Sequence, residues 1–240
     1  MSVYTIADLH LSIAHPEKSM SVFGKKWDDY EEKLRKNWCA VVDKNDTVII
    51  PGDISWAMTL SDSVADFAFL DALPGQKYIG KGNHDFWWST ANKIHTFWEE
   101  HGFSTLHMLY NNAFLIEDRI VCGTRGWFFD EKNQKTVSPT DFEKLCNRES
   151  IRLQFSLEEA LKIKAEHDDL PIDAFLHFPP IWGDERCENL LDLLVKYGVR
   201  RCYFGHIHGF YHPPVVREYE GIPLMLVASD HLGFLPLLCR

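Results

Sequence analysis

One pattern recurs five times along the chain: a short apolar stretch that ends directly in carboxylate, amide or imidazole side chains. We interpret the stretches as strands. The groups that follow them are Asp8-Leu9-His10, Pro51-Gly52-Asp53, Gly82-Asn83-His84-Asp85, His177-Phe178-Pro179-Pro180 and Gly205-His206-Ile207-His208. In α/β sheets, ligands bind at the carboxyl ends of strands. The recurrence therefore predicts an α/β fold in which five strand ends converge on one cleft.

Two of these motifs carry a pair of ligand-type residues at a spacing of two. The pairs are Asp8 with His10 and His206 with His208. In an extended strand this spacing puts both side chains on the same face of the sheet. We therefore expect each pair to reach the same cleft.

The third motif combines three kinds of polar group in consecutive residues. Asn83 offers a neutral carbonyl oxygen, His84 a titratable imidazole and Asp85 a carboxylate. A carboxylate beside a catalytic histidine holds the imidazole in one tautomer, and we predict this role for Asp85. The alternative is that Asp85 caps the helix that follows.

Taken in order, the motifs Asp-x-His, Gly-Asp, Gly-Asn-His-Asp, His and Gly-His-x-His span residues 8–208. This set resembles the calcineurin-like metallophosphoesterase superfamily and is most similar to its small bacterial single-domain phosphohydrolases. The resemblance implies a four-layer α/β/β/α sandwich, in which two β-sheets pack face to face between helices. It also implies a single metallophosphoesterase domain over residues 1–240.

The resemblance further implies two divalent metal ions that share one carboxylate. The ligands of the first ion are Asp8, His10, Asp53 and His208, and those of the second are Asp53, Asn83, His177 and His206. Asp53 is then the bridge. A set of nitrogen and oxygen ligands with this many imidazoles suits manganese, iron or zinc better than magnesium or calcium.

The activity implied by the resemblance is hydrolysis of a phosphomonoester or phosphodiester by a metal-bridging hydroxide. His84 has no metal bond in this scheme and acts as general acid or transition-state stabiliser on the leaving-group side, with Asp85 as its orienting residue. Two alternatives remain open. The first is a pyrophosphatase acting on nucleotide-linked lipid precursors. The second is an interaction scaffold that binds metal without catalysis, which the complete ligand set disfavours.

Net charge and one difference from the Ser/Thr protein phosphatases narrow the range of expected substrates. The chain has 35 acidic and 25 basic residues, a formal net charge of -10, whereas proteins that grip nucleic acid polymers usually present a basic surface. After Gly52-Asp53 the chain continues Ile54-Ser55-Trp56, without the arginine that Ser/Thr protein phosphatases carry there. We therefore expect a small-molecule or lipid-linked phosphoester.

Cysteine usage and hydropathy indicate the compartment. The six cysteines form no Cys-x-x-Cys pair, which is typical of reduced thiols in the cytoplasm. There is no apolar run of about 18 residues, so no membrane span is predicted. The first residues read as a core strand rather than as a signal peptide.

Further side chains near the motifs have two interpretations each. Four tryptophans either pack in the core or form an aromatic mouth for a base or a lipid chain: Trp56, Trp87, Trp88 and Trp127. Three cations either bind a substrate phosphate or are solvated: Lys81, Arg125 and Arg148. His231 is interpreted as an ordinary histidine rather than as a cleft residue.

Local patterns also predict the elements between the motifs. Helices are predicted over residues 28–42, 59–73, 88–100, 138–166 and 184–197. Residues 11–27 and 124–137 are predicted loops, and residues 213–240 are predicted proline-broken strands. Residues 105–123 are predicted to form two or three strands, with hairpin turns at Asn111-Asn112 and Glu117-Asp118.

Overall fold

The computed structural model of the protein describes residues 1–127, 139–167, 170–211 and 216–240. The predicted first residue of the helix 138–166 and most of the predicted loop 124–137 lie outside these ranges. Among the described residues, no helix combines the length and apolar character that a membrane crossing requires.

The described residues contain thirteen strands and five α-helices. The strands are β1 (Val3–Thr5), β2 (Thr47–Ile50), β3 (Gln76–Ile79), β4 (Leu106–Met108), β5 (Asn112–Ile116), β6 (Arg119–Thr124), β7 (Ile172–Leu176), β8 (Ile181–Trp182), β9 (Glu185–Arg186), β10 (Val199–Phe204), β11 (Val216–Tyr219), β12 (Ile222–Leu226) and β13 (Leu237–Leu238). The helices are α1 (Tyr30–Val41), α2 (Val64–Ala72), α3 (Ala91–His101), α4 (Pro139–Glu166) and α5 (Glu188–Lys196).

The strands form two large sheets with parallel centres. The first has the order β13-β1-β2-β3-β4 and the second β11-β12-β10-β7-β6-β5. β1 to β4 are parallel, as are β12, β10, β7 and β6, and antiparallel strands flank them. Three predicted ligand loops follow strands of the first sheet and two follow strands of the second. Parallel order brings the loops of each sheet to one edge.

Three apolar clusters define the layers. Leu34 and Phe67 belong to the cluster between the helices α1 to α3 and the first sheet. Phe175 stacks on Tyr203 at 4.9 Å between the two sheets. Leu157, on α4, belongs to the cluster on the outer face of the second sheet. The predicted α/β fold, with two large sheets packed together and flanked by helices, is confirmed.

A backbone connection joins the two sheets beside the ligand loops. Just after β1, the Ala7 amide donates to the Val227 carbonyl at 2.8 Å, and the Ala7 carbonyl accepts from the Ser229 amide at 2.9 Å. The residues that follow β12 are thereby held against those that follow β1. This connection places the ligand loops of both sheets in one cleft.

The predicted turn at Asn111-Asn112 is wrong as a hairpin. β4 belongs to the first sheet and β5 to the second, so these residues carry the chain between the sheets. Asn111 adopts a left-handed backbone (φ 63°), which asparagine tolerates well. The turn at Glu117-Asp118 is a hairpin, because Ile116 pairs with Arg119.

Three helices begin at least three residues later than predicted, and one predicted loop contains helical turns. α2 begins at Val64, because a 3₁₀ turn over Ser61–Ser63 precedes it. α5 begins at Glu188 because β8 and β9 first form a small hairpin around Gly183, whose φ is 62°. α3 begins at Ala91, after Thr90 in an extended conformation. The loop 11–27 contains three short 3₁₀ helices.

Candidate metal centre

Backbone hydrogen bonds tie neighbouring ligand loops together. The amide of Asp8 donates to the Gly52 carbonyl at 3.0 Å, and the amide of His10 donates to the Asp53 carbonyl at 3.0 Å. In the second sheet, the Gly205 amide donates to the His177 carbonyl at 3.1 Å. The loops are therefore a connected unit that can hold side chains at fixed separations.

Four residues of these loops adopt left-handed backbone conformations. The φ angles are 58° at Asp8, 47° at His10, 53° at Asp53 and 70° at His206. Such conformations cost non-glycine residues about 1–3 kcal/mol each and cluster at functional sites. All four were predicted as metal ligands, so the strain coincides with the predicted centre.

Two glycines leave room for carboxylates. A Cβ added at Gly82 would collide with the Asp53 carboxylate, and one added at Gly205 would collide with the Asp8 carboxylate. Each glycine therefore lets a loop close over a buried aspartate. The structure keeps space for these two carboxylates that a side chain would otherwise fill.

The first group of polar atoms gathers around His10. Its Nε2 lies 3.2 Å from His208 Nε2 and 3.7 Å from Asp53 Oδ2. Asp8 completes the group, since its carboxylate lies within 4.8 Å of the ligand atoms of His10 and His208. These four residues are the ligands predicted for the first ion.

The second group gathers around Asn83. Its Oδ1 lies 2.7 Å from His177 Nε2 and 3.0 Å from His206 Nδ1. His177 Nε2 is also 3.5 Å from Asp53 Oδ2. These four residues are the ligands predicted for the second ion.

Asp53 Oδ2 lies between the two groups. Metal–ligand bonds of about 2.0–2.2 Å place neighbouring ligands in one coordination shell about 3–3.5 Å apart. The observed separations fall in or near that range, and the donor set is one that manganese, iron or zinc accepts. The residues present therefore fit a pair of divalent cations.

Burial and neighbouring charges shift the pKa values of the ligand residues in directions that favour metal binding. Burial, and then the neighbouring Asp53 charge, raises the pKa of Asp8 well above its ordinary value. Burial also raises the pKa of Asp53 well above its ordinary value. Burial, and then nearby imidazoles, lowers the pKa of His10 and His177, so both rings are neutral and able to ligate. Without cations the buried carboxylates are costly to ionise, and divalent cations would relieve that cost.

The structure gives Asp85 different partners from those predicted. Its buried carboxylate accepts hydrogen bonds at 2.7–3.3 Å from four backbone amides, and at 2.9 Å from the Trp87 indole N–H. The amides are those of Asp53, Ile54, Ser55 and Gly82. None of its described hydrogen bonds involves the His84 imidazole. The predicted orienting contact is therefore absent, because Asp85 turns inward to satisfy the amides of two ligand loops.

His84 lies beside both groups without joining either. Its amide donates to Asp53 Oδ1 at 2.8 Å, which fixes the backbone next to the shared carboxylate. Its half-buried ring lies 4.5 Å from the Trp56 ring and 5.6 Å from the His10 ring, centroid to centroid. Burial, and then the His208 charge, lowers the pKa of the His84 imidazole.

Asp230 is a site residue that the sequence analysis missed. It is fully buried, and its Oδ1 accepts from His208 Nδ1 at 2.9 Å while its Oδ2 accepts from the Gly209 amide at 2.9 Å. This contact turns His208 Nε2 toward the first group. The sequence signal was the polar group Ser229-Asp230-His231 shortly after the strand β12. Of these residues, only His231 was weighed as a cleft residue in the sequence analysis.

Replacing Asp230 by Asn is expected to weaken the affinity of the first group for a divalent cation about 10- to 100-fold, as is typical when an outer partner of a metal-binding histidine is removed. The affinity of the second group should fall much less, because that group does not contain His208. Metal titration of the stripped variant measures both affinities. Asp192→Asn, an exposed change on α5, is the control. An equal loss of metal affinity at both groups would indicate a general structural defect instead.

A cavity of about 420 Å³ opens beside His10, His84 and His208. Its remaining lining is mostly aromatic or apolar and consists of Met20, Phe23, Trp27, Trp56, Gly209 and Tyr211. Trp56 stacks on His10 at 5.0 Å and an interplanar angle of 22°. An aromatic wall therefore directly adjoins the first group.

Of the four tryptophans interpreted either as core packing or as an aromatic mouth, only Trp56 lines this cavity. Trp87 is buried in the core, and Trp88 and Trp127 pack elsewhere, against Tyr110 and Phe178. Trp27 takes part instead. It lies in the loop 11–27, whose lack of periodicity gave no signal for it.

Comparison with known proteins adds the family. A family model for the calcineurin-like phosphoesterase matches residues 1–210. No curated protein matches the sequence.

Solved structures resemble the chain in fold at low sequence identity. A protein of unknown function from Aquifex aeolicus is 14% identical, with 99% of this chain and 95% of that chain covered and a TM-score of 0.52. The phosphopantetheinyl hydrolase of Mycobacterium tuberculosis is 13% identical, with 95% and 88% covered and a TM-score of 0.51. A Thermus thermophilus protein is 13% identical, with 95% and 89% covered and a TM-score of 0.56.

Proposed function

The chain belongs to the calcineurin-like phosphoesterase family and is a metallophosphoesterase, and from this premise we propose that it hydrolyses a small-molecule phosphomonoester or phosphodiester at a centre of two divalent metal ions. The observation that carries the proposal is the position of Asp53. Its Oδ2 lies 3.7 Å from His10 Nε2 and 3.5 Å from His177 Nε2, one histidine from each ligand group.

The two ions would be held by the two groups, with Asp53 common to both. The first group is Asp8, His10, Asp53 and His208, and the second is Asp53, Asn83, His177 and His206. When bound, two such metal ions would acidify a water molecule and neutralise phosphoryl oxygens. The chain's own contribution is to hold seven ligand residues, of which Asp53 is shared, on loops that backbone hydrogen bonds tie together.

His84 is proposed to act on the leaving group as general acid or as a transition-state stabiliser. Burial lowers the pKa of its imidazole, so the acid role requires the negative charge of a bound substrate to raise that pKa again. Its ring borders the aromatic cavity, and its amide is anchored to Asp53 Oδ1 at 2.8 Å. A leaving group placed in the cavity therefore has the imidazole at its side. Asp85 keeps the surrounding amides in position, so its contribution to catalysis is indirect.

The aromatic cavity supports a leaving group with an apolar or aromatic body. Trp27, Trp56 and Tyr211 offer flat surfaces that stack on rings or cover a hydrocarbon chain. The same feature keeps a pyrophosphatase acting on nucleotide-linked lipid precursors as the second candidate. A phosphopantetheinyl ester also belongs in any test, because one structural neighbour hydrolyses that group.

The test is turnover on a panel of phosphomonoesters, phosphodiesters, nucleotide pyrophosphates and a phosphopantetheinyl ester. Metal-stripped protein should be inert, and restoring manganese, zinc or iron should restore hydrolysis of at least one ester class. A matched sample restored with calcium is the control, because this donor set suits calcium poorly. Protein that binds no divalent metal and is inert on the whole panel would support the scaffold alternative instead.

A further inference from the structure

Three arginines surround one buried carboxylate on the flank of the centre formed by the second ligand group. Glu149 Oε1 lies 3.2 Å from Arg125 Nη2, 3.3 Å from Arg148 Nε and 2.6 Å from Arg152 Nη1. Glu149 is fully buried. In the described part of the chain it is the one carboxylate within 4 Å of these guanidinium groups. We call Arg125, Arg148 and Arg152 the arginine cluster; a single negative charge does not balance its three positive charges.

The arginine cluster adjoins the second ligand group. The Arg125 carbonyl accepts from the amides of His177 and Phe178 at 3.1 and 2.9 Å. The Arg125 guanidinium lies 5.9 Å from the centre of the Phe178 ring, and that ring lies 4.4 Å from the His206 ring. One arginine is therefore separated from a candidate metal ligand by a single aromatic ring.

A fourth cation reaches the same flank from the first sheet. Lys81 stands two residues before Asn83, and its ammonium lies 5.9 Å from the Trp88 ring centre. Trp88 contacts Tyr110 at 5.1 Å, and the Arg152 guanidinium lies 5.6 Å from the Tyr110 ring centre. Lys81 and the arginine cluster thus border one aromatic floor beside the centre.

Stabilising Glu149 does not account for four cations. One guanidinium suffices to pair a buried carboxylate, and Arg125 Nε has no hydrogen-bond partner among the described residues. The chain as a whole carries a formal net charge of -10, so this flank differs in sign from the rest of the molecule. A local positive region beside a cleft concentrates anions there.

We propose that Lys81 and the arginine cluster bind a second phosphate-type oxyanion of the substrate, carried on the ester arm that does not leave. Guanidinium forks suit phosphate oxygens because each presents parallel N–H donors. The proposal deepens the proposed function and rests on it, since the first phosphoryl group must lie at the metal centre. The substrate is then a diester with an aromatic or apolar leaving group in the cavity and an anionic arm on the flank of the second ligand group.

The test compares two diesters that differ only in the second anion. They are 4-nitrophenyl propyl phosphate and 4-nitrophenyl 3-phosphonopropyl phosphate, whose phosphonate cannot be hydrolysed. We expect wild type to prefer the phosphonate-bearing diester in kcat/KM. Arg148→Gln and Arg152→Gln should each reduce that preference about 10- to 100-fold, as expected for loss of a charge-assisted hydrogen bond. Lys162→Gln, on the same helix but paired with Glu159, should leave the preference unchanged.

A preference that is the same in wild type and both arginine variants would overturn the proposal. Calorimetric binding of the phosphonate-bearing diester separates this failure from failure of the proposed function. Absent turnover with binding that weakens in both variants, and in rising salt, would contradict the activity and support the oxyanion site. Absent turnover together with binding that is unchanged in both arginine variants would overturn both the proposed function and the oxyanion site.

Discussion

Asp53→Asn is expected to weaken the binding of both metal ions at once and to lower kcat at least about 10³-fold. Asp53 Oδ2 lies within 3.7 Å of a histidine from each ligand group, and the amide keeps the shape of the side chain but removes its charge. Two bound metal ions would supply several kcal/mol of charge stabilisation in the transition state, and each 1.36 kcal/mol changes the rate about tenfold. Metal content and kcat are measured on the same sample.

Asp46→Asn is the matched control for Asp53→Asn. Asp46 is also a buried aspartate, but it precedes β2 whereas Asp53 follows it, and it accepts backbone hydrogen bonds from Ser2 and Asp43. This control should retain both ions and turnover. An Asp53→Asn variant that loses one ion only would show that the carboxylate serves a single metal.

His84→Ala is expected to keep both ions and to lose about 10²–10⁴-fold in kcat on an alkyl ester, the usual contribution of general acid catalysis. Both ligand groups remain intact in this variant, because the His84 ring belongs to neither. A nitrophenyl ester should lose less, since nitrophenolate leaves readily without a proton. Metal content and kcat on both esters are the measurements.

His95→Ala, an exposed histidine on α3, is the control and should behave as wild type. A His84→Ala variant that has lost a metal ion would mean that the imidazole is a ligand. Equal losses on the alkyl and nitrophenyl esters would leave both ions in place but remove the general-acid role.

The convergence of the ligand loops was predictable because it depends on local features. An apolar stretch followed by Asp, Asn or His indicates a strand and its polar end, and parallel strands bring such ends together. Asp8, Asp53 and His177 could therefore be assigned to one cleft without knowing the sheet order. The two-sheet architecture came from the family resemblance rather than from these local patterns.

The features that the sequence analysis missed depend on contacts between distant segments. Asp230 orients His208 only because β12 ends beside β1, which no local pattern indicates. Trp27 packs against Phe234 at 5.2 Å, and this contact fixes its place beside the centre. Asp85 binds amides of a loop about 30 residues earlier, where the sequence suggested its neighbour His84 instead.

The most direct test of the central claim is a manganese titration of the metal-stripped wild-type protein, followed by electron paramagnetic resonance. A carboxylate shared between two groups predicts two ions per chain with an exchange-coupled signal. The coupling should disappear in Asp53→Asn. One ion per chain, or two ions with an uncoupled signal in wild type, would contradict a dinuclear centre bridged by Asp53.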